Sequence, residues 1–312
     1  MITPRASVLI PTFNASETIT ASIVSALNQT SSDLEVVVVD DGSADGTRAA
    51  VSALMRADDR IKLVSQLNQG PSAARNAALR TARGTYVCLL DADDLWLPSY
   101  LEKMTSALDS APEAAIAYTD AWVLDNRRRR IRRGTAMAPW IPPEGPSERP
   151  DILLLQLLRG NFFYTSATVR RSALEELGGF DERLRRAEDY ELWLRIVGDG
   201  RPAVGVPGPL ALYRDRAGSL SSDGTQMLEA LCRVYRIVGD EHRPAAEARE
   251  LAALRLAECE SELEATRNRR RPVRSLPQRL VGRIRWEVLE RKAYYADPPP
   301  AVAESFPDLK AL

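Results

Sequence analysis

Short apolar runs rich in β-formers alternate with helical periodicity through the first hundred residues, and this order restricts the fold more than any other feature. Ser7-Val-Leu-Ile10, Glu35-Val-Val-Val-Val39, Ile61 to Ser65 and Tyr86 to Leu90 are the apolar runs. Between them Glu17 to Gln29, Thr47 to Ala57 and Ser72 to Ala82 read as helices. Ile19, Ile23, Ala26 and Leu27 share one face of the first, and Ser16 stands where an N-cap would. The run at Glu35 to Val39 is apolar on both faces, as a central parallel strand is. Such a βαβαβαβ order predicts a doubly wound α/β sheet with its ligand site at the carboxyl ends of the strands. Pro11-Thr-Phe-Asn14, Asp40-Asp-Gly-Ser-Ala-Asp-Gly-Thr47 and Asp91-Ala-Asp-Asp94 all fall at such ends.

The third cluster suggests chemistry. In an extended segment Asp91 and Asp93 point to the same side, and Asp94 adds a third carboxylate. Their repulsion calls for a cation. Mg²⁺ or Mn²⁺, hard ions with oxygen ligands, would serve and would keep positions open for substrate phosphates. A polar strand-to-loop turn that caps the next helix is the other reading. There is no GxGxxG and no Gly-rich loop ending in Lys-Ser/Thr, which disfavours dinucleotide and P-loop binding. His242 is the only histidine, in a polar stretch, so carboxylates are expected to carry any proton transfer.

A chain of 312 residues holds one large domain, or one domain with an appendage. Its net charge of −1 argues against a nucleic-acid partner. Cys88, Cys232 and Cys259 are far apart in sequence without metal-ligand spacing, and read as reduced, buried thiols of a cytoplasmic protein. Met1 to Phe13 shows no signal-peptide arrangement, and no apolar run approaches the ~18 residues of a spanning helix. The chain is therefore not expected to cross a membrane by itself.

Four segments, Ser7-Val-Leu-Ile-Pro-Thr-Phe-Asn14, Val39-Asp-Asp-Gly-Ser43, Asn68-Gln-Gly-Pro-Ser-Ala-Ala-Arg-Asn76 and Leu90-Asp-Ala-Asp-Asp-Leu-Trp-Leu-Pro98, strongly resemble the family 2 glycosyltransferases of the GT-A fold. The resemblance covers about the first two-thirds of the chain and implies a mixed α/β sheet flanked by helices, with a site for a nucleotide-diphospho-sugar, most often a UDP-sugar. Pro11, Thr12, Phe13 and Asn14 would frame that donor, with Phe13 against the base. Asp40 would accept a hydrogen bond from a base N–H, with Asp41 as its substitute, and Arg75 would reach the base or the phosphates. The resemblance makes Asp91-Ala92-Asp93 the Asp-x-Asp element, with Asp93 the direct Mn²⁺ or Mg²⁺ ligand and Asp91 on the ribose or a metal-bound water. Read without the family, Phe13 is core, Asp40 and Asp41 form a turn before Gly42, and Arg75 is a charge on a helix surface.

Further on, Ala115 to Thr119 is a strand, Asp120 to Asn126 leads into a hairpin, and Arg127 to Arg130, Arg132 and Arg133 form a basic run. These arginines meet an anionic acceptor or lipid phosphate, or else protect a solvated edge. Asp151 to Arg159 is a helix, and Gly160 to Ser166 a loop entering a strand. Leu177-Gly-Gly-Phe-Asp-Glu-Arg-Leu184 and the Glu188-Asp189 pair opening a helix also match the family. On that helix Leu192, Ile196 and Trp193 face the core, and Glu191 with Arg195 makes an i,i+4 surface pair. The resemblance makes Asp189 the general base of an inverting transfer and Glu188 the residue that orients the acceptor; otherwise the two simply favour the helix dipole. The Gln-x-x-Arg-Trp segment of processive synthases is missing, which points to transfer of a single sugar. Arg216 stands near a position where the family commonly has histidine and is a candidate contact for the diphosphate.

These readings divide the chain into a catalytic domain at 1–224, with a donor half (1–98) and an acceptor half (99–224), and a basic helical extension at 225–312. Arg267 to Arg271, Arg274, Arg279, Arg283 and Arg285 are threaded with Leu276, Leu280, Ile284 and Val288 on one face. Such a helix either lies on the anionic inner face of the plasma membrane, near a lipid-linked or saccharide acceptor, or packs on the catalytic domain. From Asp297 a loose tail is expected. The activity expected is a metal-dependent transfer in cell-surface polysaccharide or glycolipid assembly. The alternatives are a degenerate member that binds nucleotide sugar without turnover and a sugar-1-phosphate nucleotidylyltransferase.

Overall fold

The computed structural model describes residues 3–126, 129–216, 223–242, 244–268, 295–296 and 299–306. Strands β1 (Ala6–Thr12), β2 (Leu34–Asp40), β3 (Ile61–Ser65) and β4 (Tyr86–Leu89) form a parallel block in the order β3-β2-β1-β4. Helices α1 (Ile19–Leu27), α2 (Thr47–Ala57) and α3 (Pro71–Thr81) make the crossovers. Alternation within the strands decides what each face covers. Val8, Ile10, Val36 and Val38 pack with Ile19 and Ile23 of α1 and Val51 of α2. Leu9, Val37 and Val39 pack with Ala74 and Ala78 of α3 on the opposite face. All seven strand residues are fully enclosed, each contributing about 1.5–3 kcal/mol of burial. The helix expected from Glu17 starts two residues late. The Ser16 N–H is taken by Asp45 Oδ2 at 3.1 Å, and the N–H groups of Thr18 and Ile19 turn back to Ala15 O. Ser16 therefore braces two loops instead of capping α1.

Beyond β4 the sheet becomes mixed. β5 (Leu95–Trp96), α4 (Tyr100–Ser110), β6 (Ile116–Asp125), β7 (Arg130–Thr135), α5 (Pro150–Arg159), β8 (Thr168–Arg170), α6 (Arg171–Glu176), α7 (Glu188–Gly198) and β9 (Ala203–Asp215) follow in order. β8 lies antiparallel between β4 and β6, while β9 runs parallel to β6 and antiparallel to β5. The expected strand and hairpin are realised as one long β6 that turns into β7. Arg127 and Arg128 lie outside the described residues; Arg132 on β7 pairs with Asp215 and lies 3.8 Å from Asp125.

Helices α8 (Gly224–Asp240) and α9 (Ala246–Asn268) share the core of α5 and α7, with Leu228, Tyr235, Ala252 and Leu263 in the same cluster as Leu157 and Leu192. This packing corrects the expected surface pair on α7. Glu191 is 1% exposed, because α8 brings His242 over it, with Nε2 3.0 Å from Glu191 Oε1. Arg195 donates to both Glu191 oxygens at 2.8 and 3.0 Å and also bonds the carbonyls of Leu177 and Gly179. A helical wheel cannot show that a second helix covers the outer face. The expected loose tail is also corrected: α10 (Pro300–Ser305) seats Val302, fully buried, against Leu95, Leu124, Ile131 and Leu212. The amphipathic stretch Leu276 to Val288 falls outside the described residues.

Gly84, just ahead of β4, is a packing requirement. A Cβ there would stand 2.6 Å from Ala6 C and Ser7 N, both backbone atoms of the central strand. Gly84→Ala should therefore cost about 1–3 kcal/mol, read as a lower urea midpoint at unchanged slope.

Candidate active site

The three polar clusters converge above the carboxyl ends of β1, β2 and β4. The loops after β1 and β2 lock together: the Asn14 N–H donates to Ser43 Oγ at 2.9 Å, and the Ala44 N–H to Asn14 Oδ1 at 2.9 Å. Asn14 adopts φ +49°, a left-handed conformation that asparagine tolerates. Phe13 rides on this joint with 48% of its surface exposed, so it is not a core residue.

Asp40 and Asp41 have separate tasks. Both Asp41 oxygens are occupied, by Gln66 Nε2 (2.8 Å), the Gln69 N–H (2.9 Å) and the Gly70 N–H (2.8 Å). Asp41 thereby fixes the loop that enters α3, where Gly70 needs φ +95°. Asp40 accepts the Ser43 N–H at 3.1 Å on Oδ1 alone.

Arg75 is no surface charge. It is 3% exposed, and its guanidinium joins Asp91 Oδ1 at 2.6 Å to Glu188 Oε1 while lying 5.7 Å from the Phe180 ring. Burial works against its charge, but Asp91, Glu188 and Asp189 outweigh it and hold the guanidinium above its ordinary pKa. Loss of solvent pushes the Glu188 carboxyl up, with Asp189 adding to the rise and Arg75 opposing it. Asp91 shifts upward for the same reason, again opposed by Arg75.

The segment at Asp91–Asp94 is not extended. The Asp94 N–H returns to Asp91 O at 3.1 Å, closing a turn that separates the three carboxylates. Asp91 meets Arg75. Asp93 Oδ2 accepts Arg216 Nε at 2.7 Å, while its carbonyl accepts Arg214 Nε at 2.8 Å. Asp94 turns inward, 2% exposed, to Tyr164 Oη and the Arg214 N–H. Burial, then Asp93 and Asp91, raise its pKa well above the ordinary aspartate value. Asp94 is thus a buried brace, while Asp91 and Asp93 stay on the cleft.

Asp189 opens α7 on the same cleft. Its Oδ2 accepts Thr165 Oγ1 at 2.7 Å and its Oδ1 the Tyr190 N–H at 2.8 Å. The preceding Ala187 sits at φ +55°, which starts the helix abruptly and presents Glu188 and Asp189 from its first turn. Sequence reasoning missed Tyr164, Thr165 and Arg214. The run Tyr-Thr-Ser closing an otherwise aromatic loop was the only hint, since neighbours in sequence here bind carboxylates 70 and 24 residues away.

The residues fit a divalent ion of the hard class. Asp91 and Asp93 each present one carboxylate oxygen that accepts no hydrogen bond among the described residues, on side chains 32% and 19% exposed. No group of three or more His, Cys, Asp or Glu side chains among the described residues could hold a metal by itself. One or two carboxylates completed by substrate phosphates is the usual arrangement for Mg²⁺.

Comparison with known proteins assigns the class. The model of "Glycosyl transferase family 2" matches residues 7–178, and the chain belongs to that family. An Escherichia coli relative, a UDP-Glc:alpha-D-GlcNAc-diphosphoundecaprenol beta-1,3-glucosyltransferase, is 30% identical over 236 residues, covering 75% of this chain and 85% of that protein. Among solved structures, Staphylococcus aureus TarS 1–349 in complex with UDP-GlcNAc superposes with a TM-score of 0.64 at 21% identity, over 83% of this chain and 73% of that one. A Pyrobaculum calidifontis mannosyltransferase in complex with GDP-Man and Mn²⁺ gives 0.54 at 21% identity, over 84% and 78% of the two chains. Both share the mixed sheet seen here. The chain spans 63%, 31% and 54% of the lengths of three further curated relatives. Among the described residues no helix is long and apolar enough to cross a membrane.

Proposed function

We propose that the protein is a metal-dependent, inverting glycosyltransferase that moves one sugar from a nucleotide-diphospho-sugar to a hydroxyl acceptor in cell-surface polysaccharide or glycolipid assembly. The observation that carries this reading is the placement of Asp189, held by Thr165, on the cleft that also receives Asp91 and Asp93. Arg75 ties Asp91 to Glu188, the residue just before Asp189. The names of the E. coli protein and of the S. aureus complex favour a UDP-sugar donor, and the former favours a lipid-linked saccharide acceptor; we infer that this acceptor is met at the inner membrane face.

In this reading Phe13 lies against the base, Asp40 accepts a base N–H on its remaining oxygen, and Pro11, Thr12 and Asn14 shape the joint beneath. Asp93 and Asp91 would hold Mn²⁺ or Mg²⁺, which offsets the charge developing on the departing diphosphate. Arg216 adds a cation beside Asp93 for the same diphosphate. Asp189 takes the proton of the acceptor hydroxyl as its oxygen attacks the anomeric carbon from the side opposite the leaving group. Thr165 holds Asp189 by one oxygen. Glu188, engaged by Arg75 through Oε1, keeps that arginine in place and would orient the acceptor.

The test is nucleotide-sugar binding by thermal shift, with and without Mn²⁺. A UDP-sugar at a hundred times its Kd should stabilise the wild type by about 2.7 kcal/mol. Asp93→Ala should lose the Mn²⁺-dependent part while its own melting without ligand stays cooperative. A folded wild type that no nucleotide sugar shifts would defeat the proposal.

A further inference from the structure

Cys232 and Cys259 lie 27 residues apart in sequence, yet α8 and α9 pack so that their sulfurs come within 2.9 Å. Both face the shared core, 5% and 0% exposed. Cys259 Sγ also donates to Leu228 O at 3.2 Å, one turn before Cys232 on α8. The seam has ion pairs on its rim: Arg236 with Glu260 at 2.6 Å, and Arg267 with Glu229 at 2.8 Å. α9 meets α8 and α5 through a narrow stripe of Ala248, Ala252, Cys259 and Leu263. Little else in this seam needs a thiol, since an alanine or valine would fill such a position in a helix pair without sulfur chemistry.

We propose that Cys232 and Cys259 form a reversible disulfide that clasps α8 to α9, making this hairpin a thiol-modification site separate from the glycosyl-transfer cleft. The oxidant is a low-molecular-weight disulfide. The Cys232 thiolate attacks one sulfur of that disulfide and expels the first small thiol. Cys259 then loses its proton and attacks Cys232 Sγ in the mixed disulfide, expelling the second. Two protein thiols become one disulfide, and one small disulfide becomes two small thiols.

The order of attack follows from the surroundings. The sulfur–sulfur contact lowers the Cys232 pKa, whereas the same contact and burial together raise that of Cys259, whose own S–H is directed to Leu228 O. Cys88 is the internal control. It sits in β4, accepts Thr168 Oγ1 at 3.4 Å and has no second cysteine among the described residues bonded to it, and burial pushes its thiol up to about 12. The α8–α9 hairpin rests on α7, the helix that carries Glu188 and Asp189, so the clasp tightens the support of the cleft without entering it.

The experiment equilibrates the full-length protein in mixtures of reduced and oxidised glutathione, then alkylates it under denaturing conditions and reads intact mass. Fully reduced protein should take three alkyl groups, one for each cysteine. At oxidising ratios the count should fall to one, on Cys88, and a non-reducing peptide map should join the Cys232 and Cys259 peptides. The thermal midpoint should rise by about 5 °C. Cys88→Ala should keep the linked pair, and Cys259→Ala should abolish it. Three alkyl groups in oxidised glutathione alone would overturn the proposal, as would a map showing glutathione adducts but no cross-linked peptide. The wild-type map decides even if a variant fails to fold.

Discussion

Asp189→Asn should lower turnover of the donor by about 10²–10⁴-fold while changing nucleotide-sugar affinity little. The substitution is nearly isosteric. The wild-type carboxylate accepts Thr165 Oγ1 on Oδ2 at 2.7 Å and the Tyr190 N–H on Oδ1 at 2.8 Å. The amide oxygen can keep the Tyr190 N–H, while the amide N–H in place of Oδ2 can donate to the Thr165 hydroxyl oxygen. What disappears is an acceptor for the proton of the incoming hydroxyl. The proposed metal, base and diphosphate contacts lie on other residues, so the loss should appear in kcat and leave the binding isotherm in place. Equal losses in both would mean that Asp189 supports the donor, and the general-base role would fall. Thr165→Val serves as a milder companion, because it removes one hydrogen bond and leaves the charge.

Arg75→Met should be among the most destabilising substitutions in the chain. Arg75 is 3% exposed and is shared by Asp91 and Glu188, and Glu188 is itself 6% exposed. Removing one partner of a buried pair leaves an uncompensated charge and costs about 3–5 kcal/mol, about 5–8 °C in thermal midpoint. The pH dependence follows from the shifts. Asp91 and Glu188 already have raised pKa values in the folded protein. Raised carboxyls cost stability above the unfolded pKa, and protonation removes that cost as pH falls. Loss of Arg75 raises both further, so the penalty should be largest near neutrality, shrink as pH falls through the raised folded-state range, and be gone by the ordinary carboxylate value of about 4. A pH-independent penalty, or one below about 1 kcal/mol, would show that Arg75 does not neutralise these groups. A double substitution with Glu188→Gln should recover part of the loss, since the orphaned charge is then absent.

Much of the fold was readable because local pattern and global burial agree. Val36 to Val39 are apolar at every position, and the strand they form is covered on both faces by α1, α2 and α3. The polar residues that close β1, β2 and β4 could not be placed in such strands, so they mark the loops where the cleft forms. The site was readable as a set of residues but not as a set of roles. Nothing local separates Asp93 from Asp94, yet one faces Arg216 and the other is buried against Tyr164. The assumption of an extended Asp91–Asp94 segment fails because a turn hydrogen bond closes it. Glu191 was read as a helix-surface charge, as Arg75 was when the family was set aside, and both are buried. Each is covered by an element more than 40 residues away in sequence, for which helical periodicity carries no information.

The sequence by itself determined the parallel block, the position of the cleft at its carboxyl ends, the oxygen-rich chemistry there and, through four segments, the family. Hydrophobic periodicity and turn chemistry act over a few residues, and those features depend on nothing longer. Only the tertiary structure decided which carboxylate meets which arginine, that Asp41 braces a loop while Asp40 keeps an oxygen in reserve, that Thr165 holds Asp189, and that two distant thiols touch. Those outcomes depend on distances between side chains 16 to 123 residues apart. A change of an ångström there separates an ion pair from a hydrated charge, and only the packing of the whole chain sets that distance.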